Sequence, residues 1–180
     1  VLKTRGMSGK AHTNNRCCYG YKKSADNPDK WEIDEEAAEV VRRIFNMCLN
    51  GKGPYQIARE QAEDKVERPE YYLGMRGRGA NVKSFDMEHP YAWRGGTVKT
   101  ILTRMEYIGC TVNFRTKKES YKDKRPTKVD SSEWVIFENT QEPIIDKHTW
   151  ETVQKLLDTP RRIGVFEESN PLTGKVFCAD

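Results

Sequence analysis

Apolar residues recur at helical spacing in four places along the chain and at strand spacing in two. Ala37, Val40, Val41, Ile44, Phe45 and Cys48 fall on one face of a helix that follows WEID. Asp34 is placed to accept from the free N–H groups of its first turn, Glu35 and Glu36 complement its positive end, and Gly51 is a natural stop. A two-residue turn leads to Pro54 and a second helix, PYQIAREQAED, with Ile57, Ala58 and Ala62 as its inner face. An ordinary helical hairpin is the commoner outcome of such a pair, and a helix-turn-helix the rarer one. Residues 65–96 lack periodicity, hold two prolines and five glycines, and read as a long loop in which Arg76 and Arg78 suit phosphate contact. A third helix, about 97–107, turns Val98, Ile101, Leu102 and Met105 inward and Lys99, Thr100, Thr103, Arg104 and Tyr107 outward.

The period then changes to two. Ile108, Cys110, Val112 and Phe114 alternate with Gly109, Thr111, Asn113 and Arg115, as in a half-buried strand with the first set inside. WVIFEN (134–139) is a second strand, and the basic loop between them carries Lys117, Lys118, Lys122, Lys124, Arg125 and Lys128 around Tyr121. A last helix has Asp146 as its cap, Trp150, Val153, Leu156 and Leu157 facing inward, and Pro160 at its end. These elements predict an α+β fold: a helical bundle with a small antiparallel strand pair and long basic loops.

Eighteen aromatic residues (4 Trp, 8 Tyr, 6 Phe) supply a core although charged residues make up 32% of the chain. No apolar run nears the ~18 residues of a membrane helix, so no membrane partner is expected. The opening VLKTRGMSGK carries neither a signal-peptide pattern nor a start of its own, and reads as a piece cut from a longer protein. Five cysteines, odd in number and poorly spaced for disulfides, read as reduced thiols of a cytoplasmic chain. The net charge of +4 hides an alternation: +5 over residues 1–31, -3 over 32–92, +7 over 93–128 and -5 over 129–180. Two basic stretches brought to one face would attract a polyanion, although charge runs are more often solvated surface. The outward face of the third helix sharpens this, because Arg, Lys and hydroxyls without a matching set of acids suit a major groove.

No catalytic constellation is present: no Gly-rich phosphate loop with its Lys, no HExxH, no nucleophile elbow. His12, His89 and His148 are scattered, Cys17–Cys18 has no CxxC partner, and Cys178 alone cannot hold zinc. No metal or other cofactor is therefore expected in this chain.

The order YGYKK (19–23), EIDEEAAEVVRRIFNM, GPYQIARE, TVKTILTRMEYIG, EPIID…W…VQ and NPLTGKVFCAD resembles the recombinase domain of the large serine recombinases, the group of phage integrases and mobilisable-element transposases. The resemblance covers nearly the whole chain. It implies that residues 1–20 are the end of a connecting helix and a linker, that 21–160 form the DNA-binding recombinase domain, and that 161–180 lead into a zinc ribbon with Cys178 as its first ligand. It also implies a serine nucleophile in a preceding domain. This chain would then bind attachment-site DNA for integration or excision without cutting it. The expected partner is a double-stranded half-site. The expected assembly is a dimer or tetramer for the full protein and a monomer for this piece. Cys17–Cys18 departs from the family, whose members commonly have prolines before YGY. The DNA-contacting residues expected are Lys99, Thr100, Thr103 and Arg104 in the groove. Arg5, Lys10, Arg16, Arg94, Lys117, Lys118, Lys122, Lys124 and Arg125 are expected on phosphates, the linker cations alternatively in the minor groove. Two other readings stand beside this one. The acidic stretch with Tyr71, Tyr72, Phe85, Tyr91 and Trp93 suits a protein-interaction module; a regulator using the helix pair at 35–64 is disfavoured by Lys52 and Arg59 standing against Glu60, Glu63 and Asp64.

Overall fold

The computed structural model describes residues 2–8, 16–27, 29–78, 86–117 and 125–159, the side chains of Leu2, Lys3 and Arg5 excepted. Six α-helices and three two-stranded antiparallel sheets among these residues make an α+β fold. The helices are α1 (Leu2–Met7), α2 (Glu35–Leu49), α3 (Pro54–Glu63), α4 (Pro69–Met75), α5 (Gly95–Leu102) and α6 (Lys147–Asp158). The strands are β1 (Tyr21–Lys23) with β2 (Trp31–Ile33), β3 (Thr111–Asn113) with β6 (Val135–Phe137), and β4 (Thr116–Lys117) with β5 (Thr127–Lys128). The strand pattern predicts only the β3–β6 pair.

Helix α2 is the centre of the molecule. Val41, Ile44, Phe45 and Cys48 on its apolar face are fully buried, and α3, α5 and α6 all pack against it. Burying a Val, Ile or Phe side chain contributes about 1.5–3 kcal/mol each, so this face organises the bundle. Helix α5 closes onto α3 through Val98, Ile101 and Leu102. The inner face of α3 is Ile57, Ala58 and Gln61, with Ala62 only half-buried. Gln61 is fully buried, its amide donating to the Met47 sulfur.

Asp34 precedes α2 in extended conformation, but its carboxylate bonds no helix N–H. It pairs with Arg78 at 2.8 Å instead. Asp146 does cap α6, accepting from Thr149 N–H at 2.8 Å. Residues 65–96 are not a continuous loop. Pro69 starts α4, Tyr72 within it is buried, and the buried Trp93 indole donates to Val66 O at 2.8 Å.

The YGY triplet is a clamp between the start of the domain and its far end. The Tyr21 hydroxyl donates to Glu142 O at 2.7 Å, and the Tyr107 hydroxyl donates back to Tyr19 O at 2.8 Å. The two rings stack at 6.3 Å between centroids, and Phe45 meets Tyr107 edge-on at 6.2 Å. Gly20 between them has φ +98, and a β-carbon there would stand 2.9 Å from Ile144 Cδ1. Only glycine fits both conditions.

The third helix ends at Leu102, with Thr103 as its C-cap, and a 3₁₀ turn covers Met105–Ile108. A 3₁₀ turn rotates about 120° per residue rather than 100°, which carries Tyr107 from the expected outer face to complete burial. The same turn, followed by left-handed Gly109 at φ +84, reverses the phase of β3. Thr111 and Asn113 are buried and Val112 is half-buried, the opposite of the alternation expected. Both polar side chains are satisfied inside: Thr111 Oγ1 bonds Thr140 Oγ1 at 2.7 Å, and Asn113 Nδ2 donates to Gly6 O of α1 at 2.9 Å.

Candidate nucleic-acid interface

Helix α5 presents Gly96, Lys99, Thr100 and Thr103 to solvent at i, i+3, i+4 and i+7, with no acid among them. Nothing lies within 4 Å of where a Gly96 β-carbon would be, so this side of the helix is open. Thr100 Oγ1 donates to Gly96 O at 2.9 Å, and Thr103 Oγ1 donates to Lys99 O at 2.9 Å. Each hydroxyl therefore uses its proton on its own helix and keeps an acceptor and a methyl group for a partner. Such groups suit base edges, meaning amino donors and the thymine methyl, better than they suit phosphates. The short side chains also permit close approach of the helix axis.

Arg94 precedes this face in extended conformation and is exposed. With Arg59 and Tyr55 of α3 it borders an open cleft at the start of α5. Tyr55 is 81% exposed although its ring lies against the α5 backbone. A β-carbon at Gly95 would come within 2.7 Å of that ring, so any side chain there would have to displace Tyr55.

The far end of α5 meets two other basic elements at one carboxylate. Glu106, buried in the 3₁₀ turn, stands 2.8 Å from Arg115 and 3.7 Å from Arg104. Arg115 lies 5.0 Å over the Trp134 ring and immediately precedes the β4–β5 hairpin. Burial opposes the charge of Arg104, but Cys18, Glu106 and Tyr107 outweigh it and hold the guanidinium protonated. The end of α5 and the base of the basic hairpin thus meet at Glu106.

The structure places Arg94, Lys99, Thr100 and Thr103 together on or beside α5. It moves Arg104 off the helix face to a half-buried position at the 3₁₀ turn, because α5 stops two residues earlier. Arg16, Lys117 and Arg125 are exposed, Lys117 within the β4–β5 pair. Lys10, Lys118, Lys122, Lys124, Cys178 and the side chain of Arg5 lie outside the described residues, as does the whole of 160–180. Arg76 and Arg78 are held by carboxylates: Arg76 by Glu36 at 2.9 Å and Glu67 at 3.5 Å, Arg78 by Asp34. Among the described residues no group of His, Cys, Asp or Glu could hold a metal ion, and no helix is long and apolar enough to cross a membrane.

The two alternative surfaces fare less well. Tyr72 and Trp93 are buried, which takes two of the five aromatics out of any exposed patch; Tyr91 is exposed, and Phe85 lies outside the described residues. On and between α2 and α3 several cations pair with neighbouring acids at the surface, Arg43 with Asp64, Lys52 with Glu60 and Arg59 with Glu63.

A family profile described as Recombinase matches residues 35–160, from the first residue of α2 to just past α6. The chain belongs to the recombinase family. It is 30% identical over 88 residues to "Uncharacterized protein YefB" of Bacillus subtilis (strain 168), a match covering 49% of this chain and 29% of that protein. A solved structure described as a "Crystal Structure of a LSR-DNA Complex" matches with TM-score 0.42 and 21% identity over 87% of this chain and 36% of that one. The chain thus spans about a third of the length of these relatives.

Within the recombinase domain the charge pattern located the basic stretches but missed particular side chains. Lys22 and Lys23 passed unnoticed as part of a sequence signature, and they line a cleft with Arg76 and Arg78. Arg59 and Tyr55 were missed because α3 as a whole is acidic. The one available signal was the solvent-side position of Tyr55 beside Pro54, an aromatic where the helix period asks for a polar residue.

Proposed function

We propose that the chain is the DNA-binding part of a site-specific serine recombinase and that it grips an attachment half-site, with the outer face of α5 in the major groove. The observation that carries this reading is the face itself: Gly96, Lys99, Thr100 and Thr103, open, without acids, and extended at its two ends by Arg94 and by the Arg104–Glu106–Arg115 junction. Membership of the recombinase family supports it. Lys99 and the threonine methyls and oxygens would read base edges. Arg94, Arg16, Lys117 and Arg125, with Arg5, Lys10, Lys118, Lys122 and Lys124, would hold phosphates and set the register. Phosphoryl transfer would be performed by a serine in another part of the full protein, with this part positioning the duplex. The division into a linker to residue 20, a domain at 21–160 and a lead into a further domain belongs to the same proposal.

Anisotropy titrations of the chain against cognate and scrambled duplexes at several KCl concentrations test it. Affinity is expected to fall steeply, with a log–log slope of about 0.9 per phosphate contact. Lys99→Ala is expected to narrow the gap between the two duplexes, by about 1–3 kcal/mol if the contact is to a base edge. A flat salt response, or equal affinity of wild type for both duplexes, would overturn the reading.

A further inference from the structure

A cleft of about 670 Å³ opens between β1, the start of α2 and the end of α4. Arg16, Lys22, Lys23, Arg76 and Arg78 line it, against two carboxylates, Asp34 and Glu36. Both carboxylates are already engaged, Asp34 by Arg78 at 2.8 Å and Glu36 by Arg76 at 2.9 Å. The Tyr72 hydroxyl stands 3.1 Å from oxygens of both, and the Arg76 guanidinium stacks 3.6 Å from the centroid of the Tyr72 ring. These contacts fix the two guanidiniums in place. They leave Arg76 Nε and both Nε and Nη2 of Arg78 without an acceptor among the described residues. Lys22 and Lys23 are exposed and enter no ion pair among the described residues. The cleft therefore keeps a net positive charge after these pairs are formed, with guanidinium edges fixed by carboxylates and exposed ammonium groups beside them.

We infer that this cleft seats a phosphodiester of the DNA strand that passes beyond the groove occupied by α5. The inference rests on the DNA-binding reading above and adds a contact to it. The charge of the lining and its link to the turn after α5 favour a nucleic-acid strand. The lining mixes polar and apolar surface and carries five cations against two carboxylates, an excess that suits the repeating negative charge of a strand. The cleft is joined to the turn after α5 through Tyr21, which lines it and whose hydroxyl donates to Glu106 O at 3.2 Å.

Salt titrations of the full chain with a labelled duplex, comparing wild type with Lys22→Gln/Lys23→Gln, test the inference. The double variant is expected to lower the log–log salt slope by about 0.9, the value for one lost phosphate contact. Lys155→Gln, an exposed change on α6, is expected to leave the slope unaltered. Single methylphosphonate substitutions along the duplex should reveal a phosphate whose neutralisation weakens wild type but not the double variant. If the double variant loses its thermal unfolding transition, Lys23→Gln alone carries the comparison, with about half the change in slope. Equal slopes and equal interference patterns in both proteins would overturn the cleft assignment and leave the α5 reading standing. Failure of wild type to bind duplex with any salt dependence would overturn both. A glutamate-rich peptide that competes with duplex on wild type but not on the double variant would reassign the cleft to a protein partner.

Discussion

At Gly20 two constraints meet in a single residue. The backbone is left-handed, and Ile144, Val41 and Tyr107 fill the space where a side chain would go. Gly20→Ala is expected to cost about 1–3 kcal/mol, the usual range for a strained backbone position, with added crowding against Ile144. Urea unfolding of the two proteins measures it; an unchanged midpoint would mean that the turn relaxes without disturbing the Tyr21 and Tyr107 hydrogen bonds. Burial pushes the half-buried Cys17 thiol up to about 11 and the buried Cys18 thiol up to about 12. They are accordingly poor nucleophiles near neutral pH. That YGY mattered could be read from its resemblance to a family, but what it does could not. Tyr19 and Tyr21 lie 88 and 86 residues from Tyr107, the ring both engage, and no local pattern announces such a pairing.

Two aspartates before two helices show how far element boundaries can be read from sequence. Asp34 and Asp146 both precede an apolar helical face, and both helices start where expected, at Glu35 and Lys147. Only Asp146 caps with its side chain. Asp34 is drawn away by Arg78, 44 residues on, whose place beside α2 depends on α4 and on no local signal. Asp146→Ala is expected to reduce stability by about 1 kcal/mol, a typical N-cap loss. The hydrogen bonds from Thr149 hold the Asp146 carboxyl below its ordinary value. Its contribution is therefore complete above the unfolded carboxyl range and fades as pH falls through the lower folded value. Urea midpoints of the pair should converge in acid, and a gap that widened there would contradict the assignment. The strand at 111–113 was legible as a strand but not in its phase. The phase is set by a 3₁₀ turn, and burial of Thr111 and Asn113 is made tolerable by partners at Thr140 and Gly6.

Over the whole molecule, the charge alternation along the chain predicted a basic surface, and part of it is visible. Glu106 gathers Arg104 and Arg115, which links the end of α5 to the root of the β4–β5 hairpin. The outer face of α5 was legible for Lys99, Thr100 and Thr103 because helical spacing survives there. It was illegible for Arg104 and Tyr107, where the helix has already given way to a tighter turn. Arg76 and Arg78 looked like free phosphate ligands, yet pairing with Asp34 and Glu36 turns them into one wall of a cleft. The most direct measurement of the central claim is amide chemical-shift mapping of the full chain as a cognate half-site duplex is titrated in. Perturbations are predicted to centre on Gly96, Lys99, Thr100 and Thr103 and to extend to Arg94 and Lys117. Unmoved α5 amides, with perturbations gathered instead on Glu35, Glu39 and Arg43 of α2, would contradict it.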